Sequence, residues 1–185
     1  MAVLHVRKAL LKRGEVCTVR SAVEADAQVL LDNARRMMEE PFNVTTPDEF
    51  DVNVDQERAW IVAHREKPGW LAIVAEVDGV VIGLLNFENG GRARIAHRGT
   101  FGMSVLPAWQ ERGVGTALLA ALLGWAEAHP TIEKVVLAVV EGNHRAVALY
   151  EKYGFLVSGR NPREVKYGED DYRDDLVMYR FVDGR

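Results

Sequence analysis

FGMSVLPAWQERGVGT, residues 101–116, is the stretch whose reading decides the fold. Phe101 to Leu106 spells a short strand, Pro107-Ala108-Trp109 turns the chain, and Gln110-x-x-Gly113-x-Gly115 opens a helix that starts near Thr116. A strand feeding a small-residue loop at a helix N-terminus makes an anion site. The first helical turn has N–H groups without intrahelical acceptors, and the helix dipole favours negative charge there. The local chemistry therefore predicts a phosphate-bearing ligand held by backbone.

Downstream, Leu118, Leu119, Leu122, Leu123, Trp125 and Ala126 form a broad apolar stripe at helical spacing, which His129-Pro130 ends. Lys134 to Val140 (KVVLAVV) reads as a strand buried on both faces. Asn143 can cap a helix carrying Ala146, Val147, Leu149 and Tyr150 inward, with Gly154 suited to its C-terminal end. Phe155 to Tyr167 and Asp171 to Val182 read as a closing hairpin across an acidic turn. Upstream, Trp70 to Val77 and Val80 to Phe87 are apolar, β-branched runs joined by Asp78-Gly79, the signal for a two-residue type I′ hairpin. Asn89-Gly90-Gly91 marks a turn, after which Ala93 to Leu106 can supply a long antiparallel strand. Glu15 to Arg20 reads as the first strand and Ser21 as the cap of a helix that Pro41 stops. Val54 to Glu66 reads as a second helix. The order β-α-α-β-β-β-α-β-α-β-β, with two strand–helix–strand crossovers in its second half, predicts a mixed α/β sheet. One domain is expected over residues 15–185, with residues 1–14 as an N-terminal extension.

Composition narrows the classes. The 185 residues are 48% apolar, enough for one continuous core. The net charge of −4 and scattered Lys and Arg do not suggest nucleic-acid binding. The lone Cys17, beside Val16 and Val19, reads as a small buried hydrophobe and fits a reducing interior. No apolar run approaches the ~20 residues of a membrane span, and the N-terminus lacks a signal-peptide pattern, so a cytoplasmic protein is expected. No metal is called for. Monomer and homodimer both stay open.

Three loop chemistries compete for Gly113-x-Gly115. A Walker loop needs Gly-Lys-Ser/Thr, and here Thr116 follows Gly115 without a Lys. A dinucleotide loop needs a third small residue where this chain has Leu118, and turns directly from its strand, where Pro107 to Gln110 intervene. Glu141 could stand in for the ribose-binding acid, which is thin support for an oxidoreductase. The remaining pattern is Gln110-x-x-Gly113-x-Gly115, preceded by Val105-x-Pro107 and followed by Asn143-x-x-Ala146 and Leu149-Tyr150-Glu151-Lys152-Tyr153-Gly154-Phe155. Together these blocks resemble the GNAT superfamily of N-acetyltransferases, specifically over about residues 100–156.

The resemblance implies a single-domain α/β fold. Its mixed, mostly antiparallel sheet would have a splayed parallel strand pair at the centre and about four flanking helices. It implies acetyl-CoA as cosubstrate and an amine acceptor, a small molecule or a protein N-terminus, attacked directly in a ternary complex. A non-catalytic acyl-CoA-binding regulatory domain is the alternative. In similar proteins the loop, here Gln110, Glu111, Arg112, Gly113, Val114, Gly115 and Thr116, cradles the pyrophosphate, while Met103, Ser104 and Val105 pair with pantetheine. Asn143 would bind the pantetheine amides, cap its helix, or both. Tyr150 matches the family's general acid: a phenol with pKa about 10 is protonated at neutral pH and can donate to a departing thiolate. Many relatives carry the base, a Glu, where this chain has Gly99. Glu88 and His97 are the remaining candidates, acting through water. His97 lies about 13 Å along the strand from Phe101 at ~3.3 Å per residue, and both side chains also read as ordinary sheet-edge groups. Glu39 and Glu40 at the end of the first helix, and Asp170 and Asp171 with nearby Asp174 and Asp175, would suit a cationic amine. They also read as solvated turns and helix ends.

Overall fold

The structure is a computed structural model that describes residues 4–182. The first three residues of the expected extension and the last three of the domain lie outside the described residues. Eight strands form one sheet in the order β1-β2-β3-β4-β5-β6-β8-β7. They are β1 (Arg7–Leu10), β2 (Val16–Ser21), β3 (Trp70–Val77), β4 (Val80–Asn89), β5 (Arg98–Val105), β6 (Lys134–Val140), β7 (Leu156–Lys166) and β8 (Tyr172–Phe181). All neighbours run antiparallel except β5 and β6. Helices α1 (Ala27–Met37) and α2 (Val54–Glu66) cover one face, and α3 (Val114–Ala128) and α4 (His144–Lys152) the other. None of the helices is long and apolar enough to cross a membrane, among the described residues.

Local chemistry explains most boundaries. Asp78 and Gly79 both have positive φ, 49° and 80°, as a type I′ turn requires. Asn53 caps α2 by accepting from Asp55 and Gln56 N–H at 3.0 Å, while Gln56 Oε1 accepts from Asn53 N–H at 2.9 Å. Leu118, Leu119 and Leu122 of α3 are fully buried against the sheet, each contributing about 1.5–3 kcal/mol through burial.

Four readings are corrected. Residues 7–10 of the expected extension form β1, paired with β2, while Leu4 and Leu11 are buried in the core. Arg-Lys-Ala-Leu carries no alternation that would announce a strand. Ser21 does not cap α1; it ends β2, and its hydroxyl accepts from Leu4 N–H at 3.0 Å. The turn before α1 is instead fixed by Asp26, which accepts from Val23 N–H at 2.8 Å and pairs with Arg20 through two contacts of 2.7 and 2.9 Å. The strand expected over Ala93 to Leu106 starts only at Arg98, because Ala93–Ile95 form a short helical turn and Asn89 Nδ2 donates to Ala96 O at 2.9 Å. Finally, β6 is not buried on both faces throughout: Ala138 is exposed, lining a cavity.

That cavity follows from strand register. β5 and β6 pair only where Arg98, Gly99 and Thr100 lie opposite Lys134, Val135 and Val136. Beyond them β5 stays on β4 as far as Val105, and β6 stays on β8 as far as Val140. The parallel pair therefore splays, opening a gap between Phe101–Val105 and residues 137–140.

Candidate active site

The gap is the floor of a cavity of about 560 Å³, walled by the loop before α3, the start of α4, and residues 42–44 after α1. On β5, Leu106 N–H donates to Ile82 O on the β4 side at 3.0 Å. Alternation then turns the main-chain groups of Met103 and Val105 toward the gap. Val105 O there accepts from Gln110 Nε2 at 3.0 Å. Met103 keeps a strand edge free for an extended ligand.

The loop supplies the other half. Glu111 and Gly113 adopt positive φ, 60° and 104°, and Gly113 is the N-cap of α3. The first helical bond is Ala117 N–H to Gly113 O, so the amides of residues 111–116 have no backbone acceptor among the described residues. A Cβ at Gly115 would come within 3.3 Å of Leu149 and 3.6 Å of Met103, both cavity-lining side chains. Glycine there keeps the passage between β5 and α4 open. Donor-rich backbone at a helix N-terminus suits an anion. Two cations flank it. Lys12 lines the cavity and its backbone N–H donates to Arg112 O at 2.9 Å. Arg145 Nη1 donates to Gln110 Oε1 at 2.6 Å.

Tyr150 is 8% exposed and completes a three-ring cluster with Phe101 and Phe155, whose ring centroids are 5.7 and 5.9 Å away. Burial pushes its pKa up to about 12, so the phenol holds its proton at neutral pH. Asn143 lines the cavity and accepts from Ala146 N–H at 3.2 Å, which leaves its side-chain NH2 available to a ligand.

The structure thus brings Met103, Ser104, Val105, Gln110, Glu111, Gly113, Gly115, Thr116, Asn143 and Tyr150 to one cavity, with Glu40 held at its edge by Gln110 Nε2 at 3.1 Å. It does not bring the rest. Arg112 turns away to Glu15 at 3.1 Å, and Val114 is buried in the core. Glu39, Asp170 and Asp171 do not line the cavity, and Asp171 pairs with Arg173 at 2.8 Å. Glu88 and His97 do not line it either. Glu88 Oε1 faces buried His64 Nε2 at 3.2 Å, a close contact but poorly aligned for a hydrogen bond. His97 O accepts from Glu133 and Lys134 N–H at the root of the splay. A Cβ on Gly99 would lie 2.3 Å from the Phe87 ring, so a side chain there would have to displace that buried ring. Lys12, Phe42 and Arg145 line the cavity without having been singled out as site residues in the sequence, and of the acids named there Asp175 lines it too. Lys12 and Phe42 arrive from segments far from the quoted motifs, whereas Arg145 lies inside the Asn143-x-x-Ala146 block.

A model of the acetyltransferase (GNAT) family matches residues 30–155. The chain belongs to that family. It is also 31% identical over 125 residues to the L-amino acid N-acetyltransferase AaaT of Escherichia coli K12, covering 67% of this chain and 76% of that protein. Among solved structures, a GNAT-family acetyltransferase from Streptococcus pneumoniae superposes with a TM-score of 0.86 at 23% identity, covering 90% of this chain and 99% of that one. The Salmonella typhimurium protein yncA, solved with its cofactor acetyl-CoA, gives 0.81 at 24% identity, over 91% and 95% of the two chains. The GNAT chain described here is accordingly an N-acetyltransferase, and its mixed sheet matches the fold of these neighbours.

Proposed function

We propose that this GNAT protein transfers the acetyl group of acetyl-CoA to the primary amine of a small molecule or peptide N-terminus by direct attack in a ternary complex. One observation carries the reading: the free loop amides, the open edge of β5 and the buried phenol of Tyr150 converge on a single cavity. The fit to the cosubstrate is specific at each point. Amides of residues 111–116 with Lys12 and Arg145 suit a pyrophosphate; Met103 main chain and Asn143 suit the amides of pantetheine; Gly115 keeps the passage between them open.

When bound, acetyl-CoA would supply an activated thioester carbonyl. A carbon–nitrogen bond forms as the carbon–sulfur bond breaks, and Tyr150 gives its proton to the departing sulfur. The acceptor ammonium loses two protons in all, one of which restores Tyr150 through water, so that one proton is released to solvent. Positioning of the two reactants in one cavity removes the entropic cost of their encounter. Calorimetric titration with acetyl-CoA, free CoA and NAD, followed by an amine panel read as CoA release, tests the reading. Binding of both CoA species and acceptor-dependent CoA release are expected. Tight NAD binding without CoA binding would sink it.

A further inference from the structure

The side-chain amide of Gln110 is fully engaged in the unliganded cavity. Its Nε2 donates to Glu40 Oε2 at 3.1 Å and to Val105 O at 3.0 Å, while its Oε1 accepts from Arg145 Nη1 at 2.6 Å. Acceptors on one side and a guanidinium donor on the other fix which end of the amide is the nitrogen. These residues all line the cavity. One amide thereby ties together the end of β5, the first turn of α4 and the segment after α1, at the loop end of the splayed strands.

Residues 38–44 cross the gap from there. Asn43 N–H donates to Glu40 O at 3.0 Å, closing a turn that carries Phe42 to within 3.7 Å of a Cβ placed on Gly142, just past β6. The segment is held on the β5 side through Glu40 and rests on the β6 side through Phe42. None of its residues is fully buried, so little packing opposes its release.

Glu40 presents a carboxylate to a neutral amide, beside a loop whose unpaired main-chain N–H groups suit an anion. A pyrophosphate on residues 111–116 would bring negative charge to the same end of the cavity. It would repel Glu40 and draw the Arg145 guanidinium away from Gln110 Oε1, and in a partly dry cavity both effects are stronger than in water. Both loosen the same amide.

We propose that Gln110 is a latch that holds residues 38–44 over the splayed strands through Glu40, and that the pyrophosphate of the cosubstrate releases it. The wall formed by Phe42, Asn43 and Val44 then gives way only in the loaded protein. This rests on the acetyl-CoA reading of the cavity.

Calorimetry and hydrogen exchange on the full chain test the latch. Glu40→Gln keeps an acceptor for Gln110 Nε2 and removes only the charge. It should bind CoA ~3–10-fold more tightly than the wild type at low salt, with the gain fading as salt is raised. The Asn43 amide, bonded to Glu40 O in the unliganded chain, reports the segment. CoA should speed its exchange ~10-fold or more in the wild type and leave it unaltered in Glu40→Gln. Unliganded Gln110→Ala should show the fast exchange already. Equal or weaker CoA binding by Glu40→Gln would overturn the latch. So would Asn43 exchange that CoA leaves unaltered or slows in the wild type, equal acceleration in Glu40→Gln, or slow exchange in unliganded Gln110→Ala. A wild type that fails to bind CoA would overturn the underlying reading instead.

Discussion

Replacing Tyr150 by Phe removes one oxygen from a ring that is 8% exposed and leaves its edge contacts with Phe101 and Phe155 in place. At neutral pH the fold should hardly notice, since the hydroxyl has no hydrogen-bond partner among the described residues to lose; a change within about 1 kcal/mol is expected. Alkaline behaviour is different. The folded phenol has its pKa raised to about 12 by burial, while the unfolded one ionises near its ordinary value of 10.0. Below pH 10 both states hold the proton and stability is full. As pH rises from 10 through 12 the unfolded chain ionises first, and stability is lost. At 1.36 kcal/mol per unit, a shift of about two units amounts to about 2.7 kcal/mol. The assay is urea denaturation of wild type and Tyr150→Phe across pH 8–12. The other tyrosines are common to both chains, so the difference isolates this group. Turnover should meanwhile fall about 10²–10⁴-fold with acetyl-CoA affinity intact. Turnover within threefold of the wild type, or parallel alkaline loss in the two proteins, would refute the placement of a protonated, buried phenol at the reaction centre.

Lys12→Ala should weaken acetyl-CoA binding about fivefold, the worth of roughly 1 kcal/mol, and leave binding of phosphate-free acetylpantetheine unchanged, as calorimetry with the two ligands would show. Arg20→Ala strands the buried carboxylate of Asp26 and should destabilise the fold by about 3–5 kcal/mol in chemical denaturation. Burial alone would raise the pKa of Asp26, but the Arg20 hydrogen bond, the Val23 amide and the Arg20 charge outweigh it and lower it. In the wild type that stabilisation is present above the ordinary carboxylate range and lost as pH falls through the lowered value, so the acid-side slope should shrink in Arg20→Ala. Gly99→Glu should lower the melting temperature, because its Cβ meets the Phe87 ring at 2.3 Å, and should bring no gain in turnover.

What was legible in the sequence was what short-range chemistry dictates. Asp78-Gly79 admits essentially one hairpin turn, and Gly113 tolerates the left-handed backbone that starts α3. Asn143 and Tyr150 stand at fixed offsets on one capped helix, so placing that helix placed both. Illegible were contacts set by pairing across the sheet. Asp174 and Asp175 are indistinguishable as letters, yet alternation sends them to opposite faces. The register of β8 on β6, fixed by partners some 35 residues away, decides which one enters the cavity. Lys12 reaches the loop only because Leu4 and Leu11 pin the N-terminal segment to the core. Glu88 and His97 look available in the sequence, but Glu88 points to α2 and His97 sits where the two parallel strands still touch.

The three-residue ladder between β5 and β6 also has a signature in time. Gly102 and Ser104 lie on the β4-facing phase of their strand, whereas Met103 and Val105 present their amides to a gap. Adjacent residues of one well-packed strand should therefore exchange hydrogen with solvent at very different rates, in a comb of slow and fast teeth that ends where Thr100 meets Val136. A ligand that fills the gap as an extra strand would slow only the fast teeth. The unliganded sheet thus carries an interruption in its protection that marks, amide by amide, the length of molecule it is built to receive.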